Sequence, residues 1–138
     1  MKTIVYENTF QGFLTAIYES FYLRETPDKI ISKFDYLRDF QLQLDTEIIE
    51  VAVNIKNAQK VYNSIIKKLS QETLKNIYYL FLSSDYNKGT LAYHYLKFAY
   101  KKGKYADKFL TNENVKPVHD IVLKVKFESQ RMKGLLRF

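Results

Sequence analysis

The chain contains no cysteine, and that absence closes several routes at once. Without thiols there is no disulfide framework, no thiolate zinc site and no cysteine nucleophile, so the fold rests on packing. Tryptophan is also missing, proline occurs twice, and glycine occurs four times in 138 residues. There is no phosphate-cradling glycine loop, no nucleophile elbow and no paired-histidine metal motif. No apolar run reaches the roughly 18–20 residues of a bilayer-spanning helix, and no basic-then-apolar leader opens the chain. These absences read as a soluble, cytoplasmic protein with no membrane partner, no metal site and no cofactor.

What is present is apolar and aromatic. A hydrophobic share of 46% in 138 residues supplies one core, so residues 1–138 read as a single domain. Twelve Tyr and ten Phe suit either a core enriched in rings or a tyrosine-rich rim. The stretch from Thr9 to Leu23 places Phe10, Phe13, Leu14, Ile17, Tyr18 and Phe21 on one side of a helix, with Thr9 as its cap and Pro27 beyond its end. Each such side chain gains about 1.5–3 kcal/mol on full burial, so the rest of the chain has to cover this stripe.

Around it, Lys2–Glu7 alternates as a short strand, and Pro27–Arg38 reads as a loop or broken helical turn. Phe40–Val53 reads as a hairpin turning at Asp45 and Thr46, packed on the first helix and open to pairing with the N-terminal strand. Helices follow at Asn54–Leu69, from a cap at Ser70 up to Ser83, and from Lys88 or Gly89 to Lys102, where Gly103 stops the last of these. Lys104–Leu110 reads as a helical turn or short helix with Tyr105, Phe109 and Leu110 inward. A final helix runs from near Asn114 to about Met132, with Val118, Ile121, Val122, Val125 and Met132 inward. Gly134 should end it, and Leu135–Phe138 look like the start of a strand. The expected fold class is α+β, a small antiparallel sheet near the N-terminus packed on a bundle of about five helices.

Charge is distributed unevenly. The net charge is +7, and from Lys97 onward eleven basic side chains face four acidic ones, whereas Met1–Leu96 carry eleven of each. A basic third on a neutral body suits a polyanion surface or a merely solvated lysine-rich face. Lys97, Lys101, Lys104 and Lys108 recur every three or four residues and would form a ridge if the helix continued through Gly103. With Lys102, Lys126, Arg131 and Lys133 they are the candidate nucleic-acid contacts. Tyr100 and Tyr105 lie among them, either for stacking on unpaired bases or as core-edge residues. His94 reads as a packed or edge residue. His119 lies on a side of the last helix with Lys126, Gln130 and Lys133, where it could contact phosphate, move a proton or border the core; no carboxylate stands at a supporting spacing.

Five segments, GFLTAIYESFY (Gly12–Tyr22), AQKVYNSIIKKLS (Ala58–Ser70), IYYLFLSSD (Ile77–Asp85), GTLAYHYLKFAYKKG (Gly89–Gly103) and VHDIVLKVKFESQRMKGLLRF (Val118–Phe138), resemble in the same order a bacterial family of probable DNA metabolism proteins. Gly89, Thr90, Gly103, His119, Arg131, Gly134 and Arg137 match its pattern. The resemblance implies a domain of unknown function that is also joined to uracil-DNA-glycosylase-like domains and found near a radical-SAM protein, and hence DNA repair. It also implies a strand-rich C-terminal half, which this chain lacks, as a truncated member would. The function expected is an accessory domain that holds DNA backbone on its basic C-terminal surface. Two alternatives stand beside it: an enzyme acting on damaged bases through His119 and Arg131, incomplete in this chain, and a scaffold whose tyrosine-rich surface docks a partner helix.

Overall fold

Thr9 caps the first helix as its spacing demands. Its Oγ1 accepts a hydrogen bond from the Gly12 amide at 3.0 Å, and α1 runs from Phe10 to Tyr22 with Phe13, Leu14 and Ile17 buried. The computed structural model describes residues 1–38 and 46–136, with side chains through residue 132. Around α1 stand β1 (Lys2–Tyr6), β2 (Lys29–Ser32), α2 (Lys33–Arg38) and β3 (Glu47–Val51). Beyond them come α3 (Ile55–Lys68), α4 (Gln71–Leu82), α5 (Lys88–Lys102), a 3₁₀ helix (Gly103–Lys108) and α6 (Lys116–Leu136).

The sheet overturns the antiparallel expectation. Its order is β2-β1-β3, and both outer strands run parallel to β1, in register from Thr3 opposite Lys29 and from Lys2 opposite Glu47. The arm of the expected hairpin that can be followed, β3, pairs with the N-terminal strand, as the sequence allowed, but parallel to it. The other arm of that hairpin, Phe40–Leu44, lies outside the described residues. Parallel neighbours need a crossover, and α1 supplies it between β1 and β2. The segment read as a loop or broken helical turn, Pro27–Arg38, holds the short α2 and, unexpectedly, β2: a strand of four residues is too short to show a period, and its Ile30 and Ile31 are both buried. Central β1 is buried on both faces from Thr3 to Tyr6, which is why a simple alternation does not describe it.

The helices follow their sequence signals more closely. Asn54 caps α3 by accepting from the Asn57 amide at 3.0 Å, and Ser70 caps α4 by accepting from the Thr73 amide at 3.0 Å. The start of α5 sits directly on β2, where the Ile30 amide donates to Thr90 Oγ1 at 3.0 Å. A Cβ at Gly89 would fall 2.6 Å from the Ile30 carbonyl oxygen. Gly103 ends α5 at φ 74° and ψ −151°, a region open essentially to glycine alone.

Two local expectations are corrected at the C-terminal end. In the 3₁₀ helix Ala106 faces the core, while Tyr105, Phe109 and Leu110 are exposed. α6 passes through Gly134 to Leu136, because a mid-helix glycine costs only about 1 kcal/mol and does not by itself stop a helix. Val118 and Val122 bury the first half of α6, but Leu123, Phe127 and Met132 are exposed, so Met132 is not on the inward face. Among the described residues no helix is long and apolar enough to cross a membrane.

Candidate functional site

Where α4, α5, the 3₁₀ helix and α6 converge, a group of polar side chains replaces apolar packing. Thr73 and Asn76, three residues apart, share one face of α4 and are buried, as is Tyr95 on α5. Gly103 turns the chain out of α5, so that Asp107 of the 3₁₀ helix faces this group with its side chain only 14% exposed. The carboxylate accepts from the Tyr95 hydroxyl and from the Asn76 amide at 3.5 Å on Oδ1, and from the Thr73 hydroxyl at 3.2 Å on Oδ2. Asn76 also donates to the Tyr95 oxygen at 3.1 Å, and the Ser70 hydroxyl joins Thr73 at 3.0 Å. A buried carboxylate persists when several donors replace its water, and these residues do so. Burial first of all pushes the Tyr95 phenol well above its ordinary ionisation range; the hydrogen bond from Asn76 opposes this, the hydrogen bond and charge of Asp107 add to it, and Thr73 opposes it least.

His119 comes to this group from α6. Its Nε2 is 3.8 Å from Asp107 Oδ1, beyond hydrogen-bond distance, and makes no hydrogen bond among the described residues. Asp107 is thus the neighbouring carboxylate that the sequence spacing around His119 did not provide. The arrangement acts as a clamp: one carboxylate ties the loop after α5 to α4 and α5, and an imidazole borders it. The weak signal for it was visible in α4, where Thr73 and Asn76 interrupt the face that carries Ile77 and Leu80.

Above the clamp lies the basic corner. Lys97, Lys101, Lys102, Lys104 and Lys108 are all exposed, and among the described residues none pairs with a carboxylate. Asp107, the acidic residue within this stretch, is turned inward. Lys102 stands over the Phe109 ring at 5.5 Å, Lys108 over Tyr105 at 4.9 Å and Lys97 over Tyr93 at 5.9 Å. Tyr105 is 65% exposed and open to a ligand. Tyr100 is instead half-buried, its hydroxyl hydrogen-bonded to Ser64 at 2.8 Å. The expected single ridge is broken at Gly103, so the five lysines form a corner and not a line.

The remaining candidates lie on α6. Lys126 stands over the Tyr79 ring of α4 at 5.4 Å. Arg131 is exposed, twelve residues and thus about 18 Å along the helix from His119, so the two do not share a site. Lys133 belongs to α6, but its side chain lies outside the described residues. His94 packs edge-on against Tyr93 at 5.3 Å, and burial followed by the charge of Lys97 lowers its basicity. Among the described residues no three His, Cys, Asp or Glu gather as metal ligands.

The family model of a domain of unknown function, DUF4130, matches residues 86–138. The matched stretch holds α5, the 3₁₀ helix and α6, and so Tyr95, Asp107, His119 and the basic corner; the α4 side of the clamp precedes it. No curated protein and no solved structure matches the chain. The similarity is therefore to a domain of unknown function, and neither a glycosylase-like nor a radical-SAM association is part of it.

Proposed function

We propose that the chain is a nucleic-acid-binding accessory domain that holds a phosphate backbone on the corner formed by the end of α5 and the 3₁₀ helix. The observation that carries this reading is the set of five exposed lysines without carboxylate partners among the described residues, beside an aspartate whose charge is directed into the protein. Ammonium groups on flexible stems meet phosphates as point charges and read no sequence, so affinity should be general and strongly salt-dependent. Exposed Tyr105 and Phe109 add ring faces on which unpaired bases stack. A domain of this kind would serve a separate catalytic unit, which fits the glycosylase-like or radical-SAM partner implied by the family resemblance.

Fluorescence anisotropy with labelled single-stranded and duplex DNA, over a series of salt concentrations, tests the reading. Replacing Lys101, Lys102, Lys104 and Lys108 with Gln should weaken binding at least tenfold and flatten the logarithmic salt dependence by about 0.7–0.9 for each phosphate no longer neutralised. Binding by that variant with undiminished affinity and slope would remove the corner from consideration.

A further inference from the structure

A second feature lies on the other side of α5, away from the clamp. A cleft of about 390 Å³ opens between α1, α3 and α5, within the ~300–1,000 Å³ of small-molecule sites. Ile17, Val61 and Leu96 make an apolar floor. Tyr18 and Tyr22, with ring centroids 4.6 Å apart, form one wall, and Phe21 and Tyr100, edge to face at 6.0 Å, form another.

The polar groups of the cleft are arranged on one helix. Lys60, Ser64 and Lys68 repeat every four residues on α3 and line the rim over about 12 Å. Lys60 stands over the Tyr18 ring at 5.8 Å, and Ser64 is bonded to the Tyr100 hydroxyl. α3 carries no acidic residue from Ile55 to Lys68, and among the described residues no carboxylate lines the cleft; Glu19, beside Tyr18 on α1, is outside it. Ring faces on an apolar floor, bordered by the two ammonium groups of Lys60 and Lys68, are complementary to a planar base with a negatively charged backbone.

We propose that this cleft binds a short stretch of single-stranded nucleic acid, with unpaired bases against the Tyr22 and Phe21 rings and phosphates on Lys60 and Lys68. The inference rests on the nucleic-acid reading of the basic corner but uses different residues and a different chemistry. At ~3.4 Å per stacked nucleotide the rim spans about three. A duplex is excluded because its stacked, paired bases offer no free ring face to the cleft.

Titration of a short oligothymidylate, the corresponding duplex and thymidine monophosphate against the ¹³C-methyl-labelled protein tests this, alongside anisotropy. The oligothymidylate should shift the methyl signals of Ile17, Val61 and Leu96, and the duplex should not. The triple variant Tyr22→Ala, Lys60→Ala, Lys68→Ala, all at exposed positions, should lose about tenfold or more in single-strand affinity while duplex affinity stays within twofold. Tyr22→Phe keeps the ring and should bind as the parent does. Stationary methyl signals, or a triple variant that binds the single strand like the parent, would overturn the cleft. Loss of binding in the corner variant alone would leave the backbone reading standing without the cleft. A parent that binds neither nucleic acid defeats both, and monophosphate affinity equal to that of the oligonucleotide defeats the claim that the ligand is a strand.

Discussion

Asp107 links the fold to the surface it presents. Its carboxylate satisfies Tyr95, Thr73 and Asn76 in one place, and by facing inward it leaves the lysines around it unopposed. Asp107→Ala should therefore act twice. It leaves the buried Tyr95 hydroxyl without its acceptor and removes the carboxylate that Thr73 and Asn76 share, which should lower unfolding free energy by about 2–4 kcal/mol in urea denaturation. It also frees the loop after α5, so the lysines are no longer held in fixed positions. A decrease below about 1 kcal/mol would show that the clamp is not structural. The order of residues does not reveal this role: Asp107 sits in a run of lysines, where an acidic side chain ordinarily points to solvent, and only the turn at Gly103 rotates it inward. His119 was legible as a titratable residue beside basic ones, but its neighbour lies twelve positions back on another element.

Among the elements, α5 has the most to do. Its N-terminus is fixed on β2 by Gly89 and Thr90, its middle supplies Tyr95 to the clamp and Tyr100 to the cleft, and its end carries the corner lysines. At Gly89 backbone meets backbone, so nothing flexible can yield to a new methyl group. Gly89→Ala should push α5 off β2 and cost about 2 kcal/mol or more of stability, with chemical-shift changes reaching β2. A variant as stable as the parent would mean that the two backbones are less tightly apposed than the 2.6 Å implies. Lys88 supports the same junction by donating to the Phe81 carbonyl at 2.7 Å and the Ser83 carbonyl at 3.3 Å, closing the end of α4. Burial lowers its basicity, so some charge cost remains there. The capped starts of α1 and α4 were legible because the cap and the amide it binds are three residues apart. β2 was not, since four residues carry too little pattern to be distinguished from a loop.

For the molecule as a whole, the tyrosines set the response to alkali. Tyr6 and Tyr95 are both held neutral, chiefly by burial, and their phenol ionisation lies above the ordinary value of about 10. Below pH 10 both are protonated in the folded and unfolded chains alike, so they make no pH-dependent contribution to stability. Above it the unfolded chain loses these protons first, and the folded state is progressively disfavoured. Lys88 acts in the opposite sense, since its charge cost fades as pH rises toward the ordinary lysine range. Urea midpoints should thus hold or rise slightly up to about pH 9–10 and then fall, and Tyr95→Phe should make the fall shallower. A midpoint constant from about pH 9 to 11.5 would contradict the burial of both phenols.

Local order in the chain was enough to settle the longer helices, the caps at Thr9 and Ser70, the stop at Gly103 and the concentration of positive charge after Lys97, because each depends on neighbours within about four residues. It was also enough to require one aromatic-rich core. Packing in three dimensions was needed to decide that the sheet is parallel, that Tyr105 and Phe109 face outward, that Asp107 meets His119, and that three helices leave an aromatic cleft edged by Lys60 and Lys68. Strand partners and buried polar contacts are chosen between residues far apart in the chain. Their energies depend on which surfaces meet, and no local period records that.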